Sequence, residues 1–410
     1  MRVSVAAALA QILETENAQK LRTRRRRTAD ATAFALEAER LLCNVAALRL
    51  AGAECAALAI GRHPSLSVGG SKTRTRLLDT AAAAGLLHEV QPGRVREDGI
   101  REATRWRATA SLTAYLPSNL RLADLSLSRR AQNVIVLRDP HDRSFLPLPP
   151  EAAELDAQMR AVNEWLAGLP LTLEGHGSEA WLSEPAHGWL PSVMTAQHVE
   201  LARTFRGSLA EGGRMYSSGF WITAPSSWRF RHIRLAGERI AEVDFREMNL
   251  RLAYHHHGLP WPFAPDADAY TAGPGERAGW KKITNAMLRA KAPLRRWPGK
   301  TPEEQAGYRR LFPMGARWPD VADAVHRQHT ALAAAGAFGR GLGGAFERTE
   351  SDVAVVLLLA CRDRQLPALP LHDCLLVPSS RAEEAAELMR TTAAQVAGVE
   401  LPVSVDHGLQ

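Results

Sequence analysis

The stretch HIRLAGERIAEVDFREMNLRLAYHHHG, residues 232–258, constrains this chain more than any other. It reads as two short strands joined at Gly237, the second ending at Asp244, with a helix beginning directly after it. A carboxylate at the end of an apolar strand needs a cap, a cation or a ligand, because burial disfavours the bare charge. A single strand-ending aspartate most often caps the next helix. Here the device recurs 129 residues downstream in LPALPLHDCLLVPSS, where Asp373 sits in a short apolar strand or tight hairpin. Carboxylate oxygens are the hard donors that magnesium prefers. Two of them brought together from distant strands could hold two divalent ions about 4 Å apart, the arrangement that supports phosphoryl transfer.

Between the two aspartates lies GERAGWKKITNAMLRAK, residues 275–291. Arg277 and Lys281 are four residues apart and so share one helix face, where they could grip a triphosphate. The run His255, His256, His257 competes for attention as a metal site. Adjacent helical side chains point about 100° apart, however, and metal-binding helices use i, i+4 spacing instead. The histidines are therefore expected to form the polar end of the helix that follows Asp244.

Composition narrows the class. No window holds the ~18 consecutive apolar residues of a membrane helix, and the N-terminal run lacks a convincing cleavage site. A soluble, cytoplasmic protein without membrane partners is expected. Cys43, Cys55, Cys361 and Cys374 form no C-x-x-C pair, which disfavours zinc and disulfide frameworks. Charge is uneven along the chain. Residues 1–130 hold 21 Lys/Arg against 12 Asp/Glu, and residues 131–410 hold 30 against 32. A basic first third points to a polyanionic partner, nucleic acid above all, with a solvated arginine-rich helix face as the alternative.

Within that third, Gly70 and Ser71 read as turn and N-cap, Thr73–Ala84 as a helix, and Gly85 as its C-cap. LLHEV and TRWRATASL read as strands around a basic loop. This order resembles a winged helix-turn-helix. Such a module would set Arg74 and Arg76 at the start of a groove-reading helix, with Arg94, Arg96, Arg105 and Arg107 near phosphates. Residues 131–150 read as one strand with a proline-rich exit and are placed as a linker. Residues 151–211 are placed as a helical, thumb-like segment.

From Gly212 onward the order of motifs resembles the palm and fingers of family A, polymerase-I-like single-subunit polymerases. Gly213 and Arg214 precede Asp244-Phe-Arg-Glu-Met-Asn-Leu-Arg251, matching the family's D-Y-S-Q-I-E-L-R. Arg277 and Lys281 match its R-x3-K fingers helix. His372-Asp373-Cys374 matches its H-D-E or H-D-S, and RAEEAAELMRTTAAQVAGVELPVSVD fits the helix and strand that follow. The resemblance covers about residues 205–410. It implies an α+β chain: the N-terminal winged-helix-like domain (1–130), then a compact palm and fingers with an antiparallel palm sheet (212–410).

The resemblance also implies roles. Asp244 and Asp373 would bind two magnesium or manganese ions. Arg277 and Lys281 would meet the phosphates of a nucleoside triphosphate, with Asn249 and Asn285 in the same pocket. His372 would lie against a primer end, and Arg214 and Arg251 near the nucleic-acid backbone, although a surface ion pair would explain Arg251 equally well. Partners would be a DNA primer–template, or an RNA primer or template, and replication proteins of a phage, plasmid or mobile element. The sequence departs from the pattern at Asn249, where the family has a glutamate that blocks a ribose 2′-hydroxyl. It departs again at Asn285 and Arg289 on the fingers helix and at Cys374. These departures leave open the choice of sugar. They also leave an alternative: a DNA-binding initiator or regulator whose polymerase-like half is not catalytic.

Overall fold

The computed structural model describes residues 2–22, 26–50, 56–58, 70–92, 94–95, 101–102, 104–119, 134–142, 144–174, 181–182, 193–194, 201–217, 220–265 and 267–408. The chain divides into two compact units, residues 1–128 with 178–195, and residues 129–177 with 196–410.

The first unit begins with helices α1 (Arg2–Ala18) and α2 (Thr28–Leu50), then β1 (Ala56–Leu58), α3 (Gly70–Ala83) and β2 (Leu87–Gln91). The short ladder of β3 (Arg94–Val95) and β4 (Arg101–Glu102) follows, then β5 (Thr104–Ala108) and α4 (Ala110–Thr113). β1, β5 and β2 form an antiparallel sheet with β5 in the middle. Ile12, Phe34, Ala38, Leu77, Leu78, Leu86 and Trp106 make its core. Apolar burial of this kind is worth about 1.5–3 kcal/mol for each large side chain. Gly85, at φ +69°, closes α3. The strand expected over 104–112 stops at Ala108 because Thr109 caps α4: its Oγ1 accepts the Leu112 N–H at 3.3 Å and donates to the Gly85 carbonyl at 2.6 Å.

The second unit opens with β6 (Ile135–Arg138), α5 (Ala152–Ala167) and β7 (Leu171–Leu173). The strand inside the expected linker thus belongs to a sheet: β6 runs parallel to β10 (Leu201–Arg206), which pairs with β11 (Ser208–Ser217). The intervening β8 (Trp181–Leu182) and β9 (Val193–Met194) pair with each other and group with the first unit. Asn163 ties α5 to β10, donating to the Leu201 carbonyl at 2.9 Å and accepting its N–H at 2.8 Å. Among its described residues the expected thumb-like segment holds one helix and then mostly strand.

After α6 (Phe220–Thr223) and α7 (Ser226–His232) comes a second sheet. β12 (Ile233–Leu235) and β13 (Glu238–Phe245) make the hairpin expected around Gly237, which has φ +80°. α8 (Met248–His256), α9 (Arg277–Arg289), α10 (Pro302–Arg309), α11 (Trp318–Gln328) and α12 (Thr330–Ala334) follow, then the long α13 (Gly343–Asp363). A hairpin of β14 (Leu369–Leu371) and β15 (Cys374–Pro378), then α14 (Ala382–Ala397) and β16 (Val403–Asp406), complete the described chain. The sheet runs β14-β15-β13-β12-β7, with β16 also on β13, and every pairing is antiparallel. Ile240, Val243, Leu376 and Val377 on the strands and Leu358, Cys361, Met389 and Ala393 on α13 and α14 are fully buried. That core makes β13 a fixed central strand, and Asp244 sits near its end. No helix among the described residues is long and apolar enough to cross a membrane.

Candidate active site

The ladder between β13 and β15 brings the two aspartates together. Asp244 stands opposite Cys374 in the register, and the Phe245 N–H donates to the Asp373 carbonyl at 3.3 Å. His372 and Asp373 form the turn between β14 and β15, with His372 in the left-handed region at φ +58°. Non-glycine residues adopt that region at a cost, and such outliers gather at functional sites.

Burial and neighbouring charge both act on Asp244. Burial, then the charge of Asp373, pushes the Asp244 carboxyl up to about 7, while Lys281 pulls it down. Burial, with the charges of Asp244, Glu242 and Asp373, raises the Cys374 thiol. The donor set is oxygen-rich and mutually repulsive, which is the environment a hard divalent cation relieves. Among the described residues no group of three or more His, Cys, Asp or Glu side chains is placed to hold a metal, so the two aspartates stand as a pair.

α9 supplies the cationic side. Trp280, Ile283, Thr284, Met287 and Leu288 bury one face of it, leaving Arg277, Lys281, Asn285 and Arg289 along another. Gly279 lets α9 approach the chain at 311–312: a Cβ there would meet that of Leu311 at 2.8 Å. Arg277 donates to Asp268 at 3.1 Å, and Lys281 is exposed. Asn285 is half-buried, with its Oδ1 unpartnered. Asn249 is half-buried in the first turn of α8.

Arg214 reaches the site from β11. It pairs with Glu350 of α13 at 3.2 Å, and the charges of Glu350 and Glu347 raise its pKa against the pull of burial. Burial, then the positive charge of Arg214, lowers the pKa of His372. Gly213 makes this placement possible. It has φ +83°, and an added Cβ would lie 2.7 Å from the Phe205 ring. Its carbonyl accepts from Arg203 Nε at 3.1 Å and from the Ser351 hydroxyl.

Arg251 donates to Glu247 at 3.4 Å and stacks 4.0 Å over Trp261, so its guanidinium is engaged within the fold. In the first unit Arg74 lies in α3 and Arg94 in β3; Arg76 and Arg107 are exposed and Arg105 is half-buried. Arg96 lies outside the described residues. His255 and His256 are exposed at the end of α8, and His257 caps it before Gly258, which has φ +63°.

Three site residues escaped the sequence. Glu350 is buried, and burial with the charge of Asp373 lifts its carboxyl to about 7 against Arg214. Glu247 is buried at φ +58°, and its carboxylate accepts the Ala269 N–H at 3.2 Å, pinning the segment that leads to α9. Tyr270, buried beside that bond, has its phenol raised by burial and by the charges of Glu247 and Asp373. Only the placement of Glu247 three residues after Asp244 offered any signal.

No protein-family model matches the chain, and no curated protein is significantly similar to it. Among solved structures it is similar to the POL domain of Pol1 from M. smegmatis, in a complex with DNA primer-template and dNTP. Sequence identity is 13% and the TM-score 0.29, over 92% of this chain and 65% of that one. What the site can do follows from its own residues.

Proposed function

We propose that the chain is a template-directed nucleotidyltransferase, adding nucleotides to the 3′-hydroxyl of a primer paired with a DNA template. One observation carries this reading. Two half-buried aspartates come from separate elements of one sheet, and the charges that act on Asp244 include Asp373 and Lys281, the latter on a helix with no acidic residue. Such a site suits a substrate that is itself polyanionic.

Asp244 and Asp373 would hold magnesium or manganese, which when bound supplies Lewis-acid polarisation of the reacting oxygens. Lys281 and Arg277 bind and orient the triphosphate, Arg277 exchanging Asp268 for phosphate oxygens. Asn249 and Asn285 line the sugar and base side of the same pocket. His372 and Arg214 meet the primer end and its backbone. The exposed Arg76 and Arg107 would add a second, non-catalytic contact with nucleic acid through the winged-helix-like module.

A second reading, a DNA-binding initiator or regulator without catalysis, is favoured by Arg289. It closes α9 onto Glu347 instead of facing a nucleotide. Incubating the purified chain with primer–template, magnesium or manganese, and ribo- or deoxyribonucleotides separates the two. Template-directed, metal-dependent lengthening that Asp244→Asn abolishes is the expected result. No lengthening with either nucleotide set refutes the transferase and leaves the regulator.

A further inference from the structure

Charge within the second unit is more uneven than its total suggests. Residues 277–310 hold ten Lys/Arg and two acids, Glu303 and Glu304, whereas the rest of 131–410 holds 20 Lys/Arg and 30 acids. Arg277 and Arg289 in this stretch are tied to Asp268 and Glu347. Lys291, Arg295, Arg296, Lys300, Arg309 and Arg310 are different. All six are exposed, and none has an ion-pair partner among the described residues.

The two acids nearby do not neutralise them. Glu303 and Glu304 fill the first turn of α10, where Thr301 is the N-cap, and the Glu304 carboxylate accepts the Lys300 backbone N–H at 2.6 Å. Nor do the cations hang on a loose loop. The Trp297 ring lies 5.4 Å from Phe312 and 5.7 Å from Trp318, and Phe312 lies 4.9 Å from Trp280 of α9. Trp318 donates to the Leu294 carbonyl at 2.9 Å, and Gly341 to that of Ala290 at 2.7 Å. One aromatic cluster therefore ties together the start of α9, the 290–300 segment, the turn after α10 and the start of α11, and the six cations are exposed along this stretch.

A fixed surface of unneutralised positive charge, continuing from the helix that carries Arg277 and Lys281, fits a polyanion of repeating spacing. We propose that this lobe is a nucleic-acid contact surface, holding a sugar–phosphate backbone by charge without reading bases. The identity of the polyanion rests on the nucleotidyltransferase reading; the existence of the surface is tested by binding alone.

Fluorescence anisotropy with a labelled single strand and a labelled duplex of equal length, without divalent metal, across roughly 50–300 mM salt, makes the test. Arg295→Gln, Arg296→Gln, Arg309→Gln and Arg310→Gln are combined in the full chain. The variant is expected to keep the wild-type melting temperature and to bind at least one probe roughly tenfold or more weakly near 100 mM salt. The slope of log Kd against log salt should fall by about 0.7–0.9 for each phosphate that the variant no longer neutralises. Arg317→Gln, which removes a guanidinium already tied to Asp320 at 2.9 Å, should leave affinity and slope unchanged. Unchanged affinity and slope in the combined variant overturn the proposal, as does an equal weakening in Arg317→Gln. A chain that extends no primer yet binds more weakly in the combined variant keeps this surface and loses the proposed reaction.

Discussion

Two neighbouring parts of the second unit treat charge in opposite ways. Along α13 every buried charge has a partner. Arg203, fully buried, meets Asp352 at 2.7 Å, Arg214 meets Glu350 at 3.2 Å, and Arg289 meets Glu347. At the end of β13, by contrast, burial and then the like charge of Asp373 push Asp244 up to about 7. The same fold that matches arginines to carboxylates on one side leaves two carboxylates facing each other on the other. The pairs on α13 hold β11 and Arg214 in place, whereas the aspartate pair is a cost that the surrounding core sustains.

Breaking the paired side should have the largest effect on stability. Arg203→Met leaves Asp352 with Arg348 as its one remaining guanidinium among the described residues and removes a donor to the Gly213 carbonyl, and should destabilise the chain by about 2–3 kcal/mol. A denaturant titration checks this. A change within error would mean that Arg348 and solvent satisfy Asp352 without Arg203.

Relieving the unpaired side should do the reverse, and the sign follows from linkage. The native Asp244 carboxyl titrates near 7 and an unfolded one near 4. Between those values the native state keeps a proton that the unfolded state has released, so stability falls as pH rises through the window. Asp244→Asn should therefore raise the melting temperature above pH 7, by a gain on the order of 2 kcal/mol after allowing for partial exposure, and lose that advantage near pH 4. Thermal melts across that range check it, and equal curves at every pH would show that neither burial nor Asp373 raises the Asp244 carboxyl. At the small end, Arg317→Gln at the fully exposed pair with Asp320 should leave the melting temperature unchanged.

Much of this contrast was legible in the sequence on one side only. The strand ending at Asp244, the hairpin around Asp373 and the amphipathic α9 announce themselves locally, through period, turn residues and i, i+4 spacing. The paired side does not. Arg214 and Glu350 are 136 residues apart, and the acidic head of α13 reads as a solvated face until β11 is laid against it. β6 reads as a strand, but its place in a sheet was hidden for a similar reason, since its partner β10 comes about 65 residues later, across a helix and a hairpin. The basic lobe at 291–310 vanished in an average taken over 280 residues.

Whether the repulsive pair works as one site can be measured by primer extension under single-turnover conditions, with magnesium in excess, for wild type, Asp244→Asn, Asp373→Asn and the double variant. Groups that act as a unit are strongly non-additive. Each single variant is expected to lose nearly as much rate as the double, on the order of a thousandfold or more. Extension at the wild-type rate in either single variant, or two rate reductions that simply multiply in the double, would contradict a shared two-carboxylate centre.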